Sequence, residues 1–218
     1  YNIPKGNEWG FVSGSGTDGN MHGIYFGSKK LLKETGKLPI VYVSKEAHYS
    51  SGRICDVQNL EARMIERNKD GSMNLEDLRK NIDPSKPALV VAALGSTFMG
   101  AIDDIAGIKK VLEEVKVLGY YIHVDAALFG GYLPFTERKD LVDMQKQGYD
   151  SIAISGHKFF GIDEPCGLFI SRKEILDSQK SFKVEYLKEV PKYSNESDWP
   201  SWLNGNVTYY KDGSAVRI

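Results

Sequence analysis

The sequence has few cysteines and no long apolar run. Its 218 residues include only two cysteines, Cys55 and Cys166, which lack the spacing of a metal-binding pair. Unpaired thiols are typical of a reducing compartment, so we expect a cytoplasmic protein without disulfides. No stretch approaches the roughly 20 apolar residues that a transmembrane helix needs, and the N-terminus has no signal-peptide pattern. These absences argue against secretion and membrane insertion.

The sequence also lacks an excess of charge of either sign. It has 28 lysines and arginines against 29 aspartates and glutamates, a formal net charge of -1. This balance gives no electrostatic reason to expect binding to nucleic acid or to an anionic membrane. The hydrophobic content of 41% is ordinary for a globular protein. Any ligand site must therefore be local, and we expect its ligand to be a small molecule.

Short apolar segments alternate with segments of helical periodicity. We predict strands at 8–13, 40–44, 60–67, 88–93, 120–124, 151–155 and 166–171, and helices at 21–35, 74–83, 105–118, 137–147 and 174–188. This alternation indicates an α/β fold, in which helices flank a mostly parallel sheet of the seven-stranded type. Asp103 or Asp104 is expected to cap the helix at 105–118 and so to have a structural role.

The composition changes near the C-terminal end of the chain. Residues 1–190 are expected to form the α/β domain. Residues 191–218 are polar and rich in turn formers, and we expect them to be a tail or the remnant of a smaller C-terminal domain. Because the chain begins at Tyr1 rather than at Met, we also expect that an N-terminal segment is missing.

A single lysine follows the strand at 151–155. The ends of strands are where open α/β sheets bind their ligands, and a Ser-Gly-His turn places Lys158 at such an end. A lysine held there can lose its proton and act as a nucleophile towards an aldehyde. The alternative interpretation is a solvated surface lysine.

Three other predicted strands also end in polar residues. Ser15, Gly16 and Thr17 lie in a glycine-rich turn before a helix, where free backbone N–H groups can hold a phosphate. The turn lacks the pattern of a P-loop or of a dinucleotide fingerprint, and it could be purely structural. His48 could stack on a flat heteroaromatic ring or have a structural role. Asp125 is costly to bury unpaired, so it should face water or a cation.

One cofactor uses all of these groups. Pyridoxal 5'-phosphate has a phosphate, an aldehyde that condenses with a lysine amine, and a ring nitrogen that needs an acidic partner. We therefore predict a pyridoxal-phosphate site with Lys158 at the aldehyde and Asp125 at the ring nitrogen.

The same residues resemble the motifs of a known family. They lie in the segments 15–20 (Ser-Gly-Thr-Asp-Gly-Asn), 47–50 (Ala-His-Tyr-Ser), 123–127 (His-Val-Asp-Ala-Ala) and 155–158 (Ser-Gly-His-Lys). These segments resemble the group II pyridoxal-phosphate-dependent amino-acid decarboxylases, and among them the bacterial histidine decarboxylases and the related plant serine decarboxylases most of all. The resemblance covers roughly residues 8–190. It implies the large domain of a fold type I pyridoxal-phosphate-dependent transferase.

The resemblance also implies a role for each residue of the site. Lys158 would bind the cofactor covalently, His48 would stack on its ring and border the substrate, and Asp125 would pair with the ring nitrogen. Ala127 would pack against the other side of the ring, and Thr97 would lie close to it. The phosphate would be surrounded by Ser15, Gly16, Thr17, Ser155 and His157.

The reaction implied by the resemblance is the decarboxylation of an L-amino acid to its amine and carbon dioxide. Histidine, which would give histamine, is the first expectation for the substrate, and serine is the next. A homodimer or higher homo-oligomer is also implied. Because the cofactor site alone does not choose the bond that is cleaved, another pyridoxal-phosphate-dependent lyase or an aminotransferase stays an alternative. A truncated, non-catalytic homologue that acts as an interaction partner is a further alternative.

Overall fold

The computed structural model describes residues 1–178 and the strands Val207–Tyr209 and Ala215–Arg217. The strands are β1 Glu8–Ser13, β2 Ile40–Ser44, β3 Ala62–Ile65, β4 Ala88–Ala93, β5 Tyr120–Asp125, β6 Ser151–Ser155, β7 Gly167–Arg172, β8 Val207–Tyr209 and β9 Ala215–Arg217. The α-helices are α1 Gly16–Thr35, α2 Ser50–Val57, α3 Leu75–Asn81, α4 Ile105–Val115, α5 Met144–Gln147 and α6 Gly156–Phe159. In this part of the chain, no helix combines the length and the apolar character that crossing a membrane would require.

Seven strands form one sheet in the order β1-β7-β6-β5-β4-β2-β3. The neighbours from β6 to β3 pair in parallel, whereas β7 pairs antiparallel with both β1 and β6. β7 therefore runs against the other six strands of this sheet. The predicted α/β fold with a mostly parallel, seven-stranded sheet is confirmed. β8 and β9 form a separate antiparallel pair.

The sheet buries apolar side chains on both of its faces, as expected for parallel strands covered by helices. Because successive residues of a strand point to opposite faces, Val41 and Val43 of β2 pack with α1, while Tyr42 packs on the other side. The apolar stripe of α4 covers that other side through Ile105, Ile108, Val111 and Leu112. The side chains on the α1 face of β5 are those of the odd-numbered residues, which include Asp125.

Helix α1 packs close against the sheet because its inner face carries four glycines. A Cβ atom at Gly19 would lie 2.8 Å from Cβ of Ala153, and one at Gly27 would lie 2.5 Å from the ring of Tyr121. A Cβ at Gly23 would overlap the imidazole of His123. The glycine positions are Gly16, Gly19, Gly23 and Gly27, three or four residues apart. Side chains spaced this way share one face of a helix, so this face can pack directly onto β5 and β6.

Two predicted helices differ in type from the structure, and a third, α1, begins five residues earlier than predicted. The predicted helix at 137–147 is instead a 3-10 helix at Lys139–Val142 followed by α5. Asp143 interrupts it because this residue has an extended backbone and its side chain accepts a hydrogen bond from Lys146 N at 2.9 Å. The predicted helix at 174–188 begins as a 3-10 helix, Lys173–Ser178, and its other residues lie outside the described part of the chain. The predicted tail at 191–218 also lies outside it, except for β8 and β9.

Candidate active site

A cavity of about 330 Å³ lies at the carboxyl ends of the parallel strands. Ligand sites of open α/β sheets occur at this edge, and the volume falls within the range of about 300 to 1,000 Å³ typical of small-molecule pockets. The loops after β2 and β4, the ends of β5 and β6, and the start of α1 contribute to its wall. The lining residues are Ser15, Gly16, Thr17, Asn20, His48, Ala93, Gly95, Ser96, Thr97, Asp125, Ala127, Leu128, Ser155, His157 and Lys158.

The first turn of α1 forms one wall of the cavity. Ser15 is the N-cap of this helix, and its Oγ accepts a hydrogen bond from Asp18 N at 3.1 Å. The Asp18 carboxylate reaches back and accepts from Gly14 N at 2.8 Å, so the turn is held from both sides. A Cβ atom at Gly16 would lie 2.5 Å from Ser155 Oγ, so only glycine lets the helix start approach β6 so closely. The N-terminus of a 20-residue helix therefore faces the cavity and favours an anion there.

Lys158 lies in the one-turn helix α6, which directly follows β6. Its side chain is exposed and borders the cavity. The turn is fixed to β7 because Gly156 N donates to the carbonyl of Cys166 at 2.9 Å. His157 Nδ1 lies 3.0 Å from the same carbonyl oxygen, so this nitrogen carries a proton and donates. The Nε2 atom of His157 is then the nitrogen left for a ligand.

Asp125 is the last residue of β5 and lines the cavity. Its Oδ1 accepts a hydrogen bond from Ala127 N at 3.1 Å. Burial raises the pKa of Asp125, while the Ala127 hydrogen bond, the side chain of Asn20 and the nearby His48 and Lys158 act in the opposite direction. A carboxylate in this environment gains from a protonated ligand nitrogen placed against it.

His48 lies beyond the end of β2, with its ring held by its neighbours. Ser50 approaches His48 Nδ1 with its hydroxyl at 2.7 Å and its backbone N–H at 3.4 Å. Nδ1 is therefore the acceptor, which leaves a proton on Nε2. The ring of Tyr49 lies at 4.4 Å from the His48 ring, centroid to centroid, at a tilt of 42°. These contacts fix the plane of the imidazole at the cavity wall.

The loop after β4 closes another part of the wall. Gly95 has a backbone φ of 95°, a left-handed conformation that favours glycine, and a Cβ there would meet the ring of Phe129 at 2.6 Å. Ser96 Oγ accepts from Ala101 N at 3.0 Å and ties the loop back on itself. Thr97 at the tip is exposed and lines the cavity.

The structure brings all ten predicted site residues to this one cavity. Sequence reasoning did not identify five other lining residues, which are Asn20, Ala93, Gly95, Ser96 and Leu128. Asn20 had a usable signal, because it stands four residues after Gly16 and so shares a helix face with it once α1 is known to begin there.

The two acidic residues after β4 have the structural role that was predicted. Asp104 is the N-cap of α4 and accepts from Gly107 N at 2.9 Å. Asp103 is buried and accepts from Met73 N at 2.6 Å and from Ala93 N at 2.7 Å. These bonds fasten the loop that carries Gly95 and Thr97, so Asp103 supports the cavity wall without lining it.

The groups around the cavity match pyridoxal 5'-phosphate in chemistry. A helix N-terminus with hydroxyl and glycine residues suits the phosphate, and Lys158 offers a primary amine for the aldehyde. Asp125 is a carboxylate that burial disfavours and that a cationic ring nitrogen would stabilise. The fold and this set of groups together define a pyridoxal-phosphate-binding large domain of fold type I.

Comparison with known proteins identifies the family to which this chain belongs. Residues 28–203 match the sequence model described as the pyridoxal-dependent decarboxylase conserved domain. The chain therefore belongs to the pyridoxal-dependent decarboxylase family, and the predicted cofactor, pyridoxal 5'-phosphate, is confirmed with it.

Individual relatives agree with this assignment. A histidine decarboxylase of Morganella morganii is 37% identical over 191 residues, which is 86% of this chain and 49% of that protein. The crystal structure of mouse CSAD has a TM-score of 0.66 and 26% identity, and the match covers 81% of this chain and 41% of that one. The structure of Oryza sativa TDC with PLP and tryptamine has a TM-score of 0.68 at 19% identity, over 79% and 40% of the two chains, and so shows the shared fold. The chain spans about half the length of the curated relatives it matches.

Proposed function

We propose that this chain is the cofactor-binding part of an enzyme that decarboxylates an L-amino acid to its amine and carbon dioxide. The observation that carries the proposal is the meeting of Lys158, Asp125 and the N-terminus of α1 around one cavity. Membership in the pyridoxal-dependent decarboxylase family supports the type of reaction.

The cofactor, when bound, supplies an electron sink for the electron pair that remains when a carboxylate leaves as carbon dioxide. Asp125 holds a proton at the ring nitrogen and so keeps the ring electron-poor. Lys158 would hold the aldehyde carbon of the cofactor through its Nζ atom. Ser15, Gly16 and Thr17 hold the phosphate with N–H and O–H donors.

Other residues of the cavity orient the ring and exclude water from it. His48 would stack on one face of the ring and border the substrate, and its fixed imidazole plane suits this role. Ala127 would pack against the other face, and Thr97 would lie beside the ring. Ser155 adds a hydroxyl donor for the phosphate, and His157 adds a donor through Nε2 when its imidazole carries both protons.

Histidine is the substrate we propose, with serine as the next choice. The support for histidine is the name of the relatives, since curated proteins of 36% to 37% identity are histidine decarboxylases. We also propose that the protein acts in the cytoplasm, in line with two free cysteines among the described residues.

A homodimer or higher homo-oligomer is part of the same proposal. Two large apolar side chains beside the cavity are strongly exposed, Tyr49 at 73% and Phe98 at 92%. They follow His48 and Thr97 directly in the sequence. Exposed apolar side chains next to a site are typical of an interaction surface. Analytical ultracentrifugation of the whole protein at several concentrations tests this, and a monomer at all of them would contradict it.

The reaction is tested with the whole protein and pyridoxal phosphate. Each of the 20 amino acids is supplied with a labelled carboxylate, and release of labelled carbon dioxide is measured alongside the amine product. We expect release from histidine. A keto acid with no carbon dioxide released would instead indicate an aminotransferase, and no product from any amino acid would contradict the catalytic proposal.

The role of Lys158 is tested by the Lys158→Ala variant, with Lys69→Ala as a matched control. Lys69 is an exposed lysine in a loop and does not line the cavity. We expect Lys158→Ala to lower the decarboxylation rate by at least about a thousandfold, and Lys69→Ala to leave it unchanged. Borohydride reduction followed by peptide mass spectrometry should place the cofactor on Lys158 in the wild type. Normal turnover in Lys158→Ala would contradict this assignment.

A further inference from the structure

A row of buried polar side chains lies behind the carboxylate of Asp125. It contains Asn20 of α1, His123 of β5 and Ser151 of β6, with exposed fractions of 1%, 0% and 0%. His123 Nε2 lies 2.9 Å from Asn20 Oδ1, and His123 Nδ1 lies 2.8 Å from Ser151 Oγ. The side chain of Asn20 in turn favours the charged form of Asp125, and both residues line the cavity. The row therefore leads from the interior of the sheet to the cavity.

The register of the sheet and the glycines of α1 put these residues together. His123 and Ser151 are direct partners in the parallel pairing of β5 with β6. His123 stands two residues before Asp125 on β5, so both side chains are on the face that α1 covers. The missing side chain of Gly23 leaves the space that the imidazole of His123 occupies, so α1 can bring Asn20 into contact with it.

The direction of every hydrogen bond in the row follows from the carboxylate. Asp125 can only accept, so Asn20 donates with its amide N–H group and has its Oδ1 left as an acceptor. His123 must then donate to Asn20 from Nε2, which leaves Nδ1 as an acceptor for the hydroxyl of Ser151. The imidazole is neutral in this arrangement, and its burial, which lowers the pKa of His123 to about 3, keeps it neutral.

We propose that Asn20 and His123 are positioning residues that hold Asp125 in place for the ring nitrogen of the cofactor, with Ser151 fixing the tautomer of His123. This inference rests on the proposed role of Asp125. Ala127 N donates to Oδ1 at 3.1 Å, and an amide N–H of Asn20 directed at the same carboxylate would add a second restraint on its rotation. A purely structural row would stabilise the fold but would not affect how strongly the ring nitrogen is bound.

The experiment compares two ligands for the apo protein. One is pyridoxal phosphate, and the other is its 1-deaza analogue, in which a carbon atom replaces the ring nitrogen. The dissociation constant of the analogue divided by that of pyridoxal phosphate measures how much the ring nitrogen adds to binding. We expect this ratio to fall about tenfold in Asn20→Leu and His123→Leu, the effect of losing one charge-assisted hydrogen bond. His123→Gln, whose amide can donate from the place of Nε2, should restore most of it.

Ser171→Ala is the matched control. Ser171 is a fully buried serine on β7, in register with Ser151, and it lies outside the row. The ratio of dissociation constants measured for Ser171→Ala should equal that of the wild type. If Asn20→Leu and His123→Leu weaken both ligands equally, the row is structural and the inference is overturned. If circular dichroism shows that these two variants do not fold, Ser151→Ala decides, since a ratio equal to that of Ser171→Ala overturns the inference as well.

The same measurement separates this inference from the proposed function. A folded wild-type protein that binds neither ligand would overturn the proposed cofactor site and this inference with it. A wild-type protein that prefers pyridoxal phosphate to the analogue, with the same preference in every variant, would leave the proposed function standing and overturn the inference alone.

Discussion

The carboxylate of Asp125 is held in an environment that disfavours its charge before a ligand arrives. Burial raises its pKa above the ordinary value, although Ala127 N, Asn20, His48 and Lys158 all favour its charged form. Functional sites commonly contain groups with such shifts. A charge that is costly in the free protein adds to the affinity for a ligand cation, because binding removes part of that cost.

Asp125→Asn should therefore stabilise the apo protein while it removes activity. The sign follows from the raised pKa: the unfolded chain releases this proton at a lower pH than the folded chain does, so ionisation favours unfolding. The gain should be absent at a pH below both pKa values and reach its full size above the folded one. A higher Tm than that of the wild type is therefore expected at pH 8. A Tm difference that is the same at all pH values would contradict this explanation.

Burial of His123 gives a second pH-dependent effect, in which stability is lost as the pH falls and not as it rises. Burial lowers its pKa from 6.5 to about 3. Below pH 6.5 the unfolded chain takes up a proton that the folded chain does not, so stability is lost as the pH falls towards 3. Each pKa unit corresponds to about 1.4 kcal/mol. Between pH 6.5 and 4.5, the wild type should lose roughly 2 to 3 kcal/mol more than His123→Gln does. Urea unfolding of both proteins across this range measures the difference, and parallel losses would contradict the prediction.

At the scale of elements, α1 decides how precisely the site is built. Its start forms the proposed phosphate site, its second turn carries Asn20, and its third turn covers His123. The glycine face sets the distance from helix to sheet for all three. A small shift of this helix would thus affect both ends of the proposed cofactor site.

Gly23→Ala should disturb this packing, and Gly52→Ala is the matched control. A Cβ at Gly23 would overlap the His123 ring, whereas at Gly52 of α2 nothing lies within 4 Å. Overpacking of a tight core costs about 1–3 kcal/mol, while an open helical position gains up to about 1 kcal/mol from alanine. In denaturant unfolding of the apo protein, Gly23→Ala should lower the free energy of unfolding and Gly52→Ala should raise it. Equal changes in both variants would show that α1 can move away from the sheet without cost.

The same helix shows what could be predicted from the sequence and what could not. The turns after apolar strands, together with the family resemblance, predicted ten residues that all line the cavity, because parallel strands bring their carboxyl ends to one edge. Asn20 was missed because the helix was predicted to begin at Met21 and not at Gly16. Glycines weaken the helix pattern of residues 16–20, and the contacts with β6 that compensate for it are visible only in the tertiary structure. The reversed direction of β7 was also not predicted, since an apolar strand pattern carries no information on direction.

At the scale of the whole molecule, the cofactor should act as a part of the fold. The proposed ligand would contact the start of α1, the ends of β5 and β6, and the loops after β2 and β4. A ligand that binds only the folded state stabilises it by about 2.7 kcal/mol at 100 times its dissociation constant. With about 2–4 °C per kcal/mol for a chain of this size, pyridoxal phosphate should raise the Tm by roughly 5 to 10 °C.

The size of the shift should depend on which group of the ligand is removed. Pyridoxal, which lacks the phosphate, should shift the Tm less at equal concentration, because it makes no contact with the N-terminus of α1. Lys158→Ala should keep part of the shift from pyridoxal phosphate, since the contacts of the phosphate and of Asp125 remain. Differential scanning calorimetry with each ligand measures these shifts. Equal shifts from pyridoxal and its phosphate would contradict the phosphate site at Ser15, Gly16 and Thr17, because the helix N-terminus would then add nothing to binding.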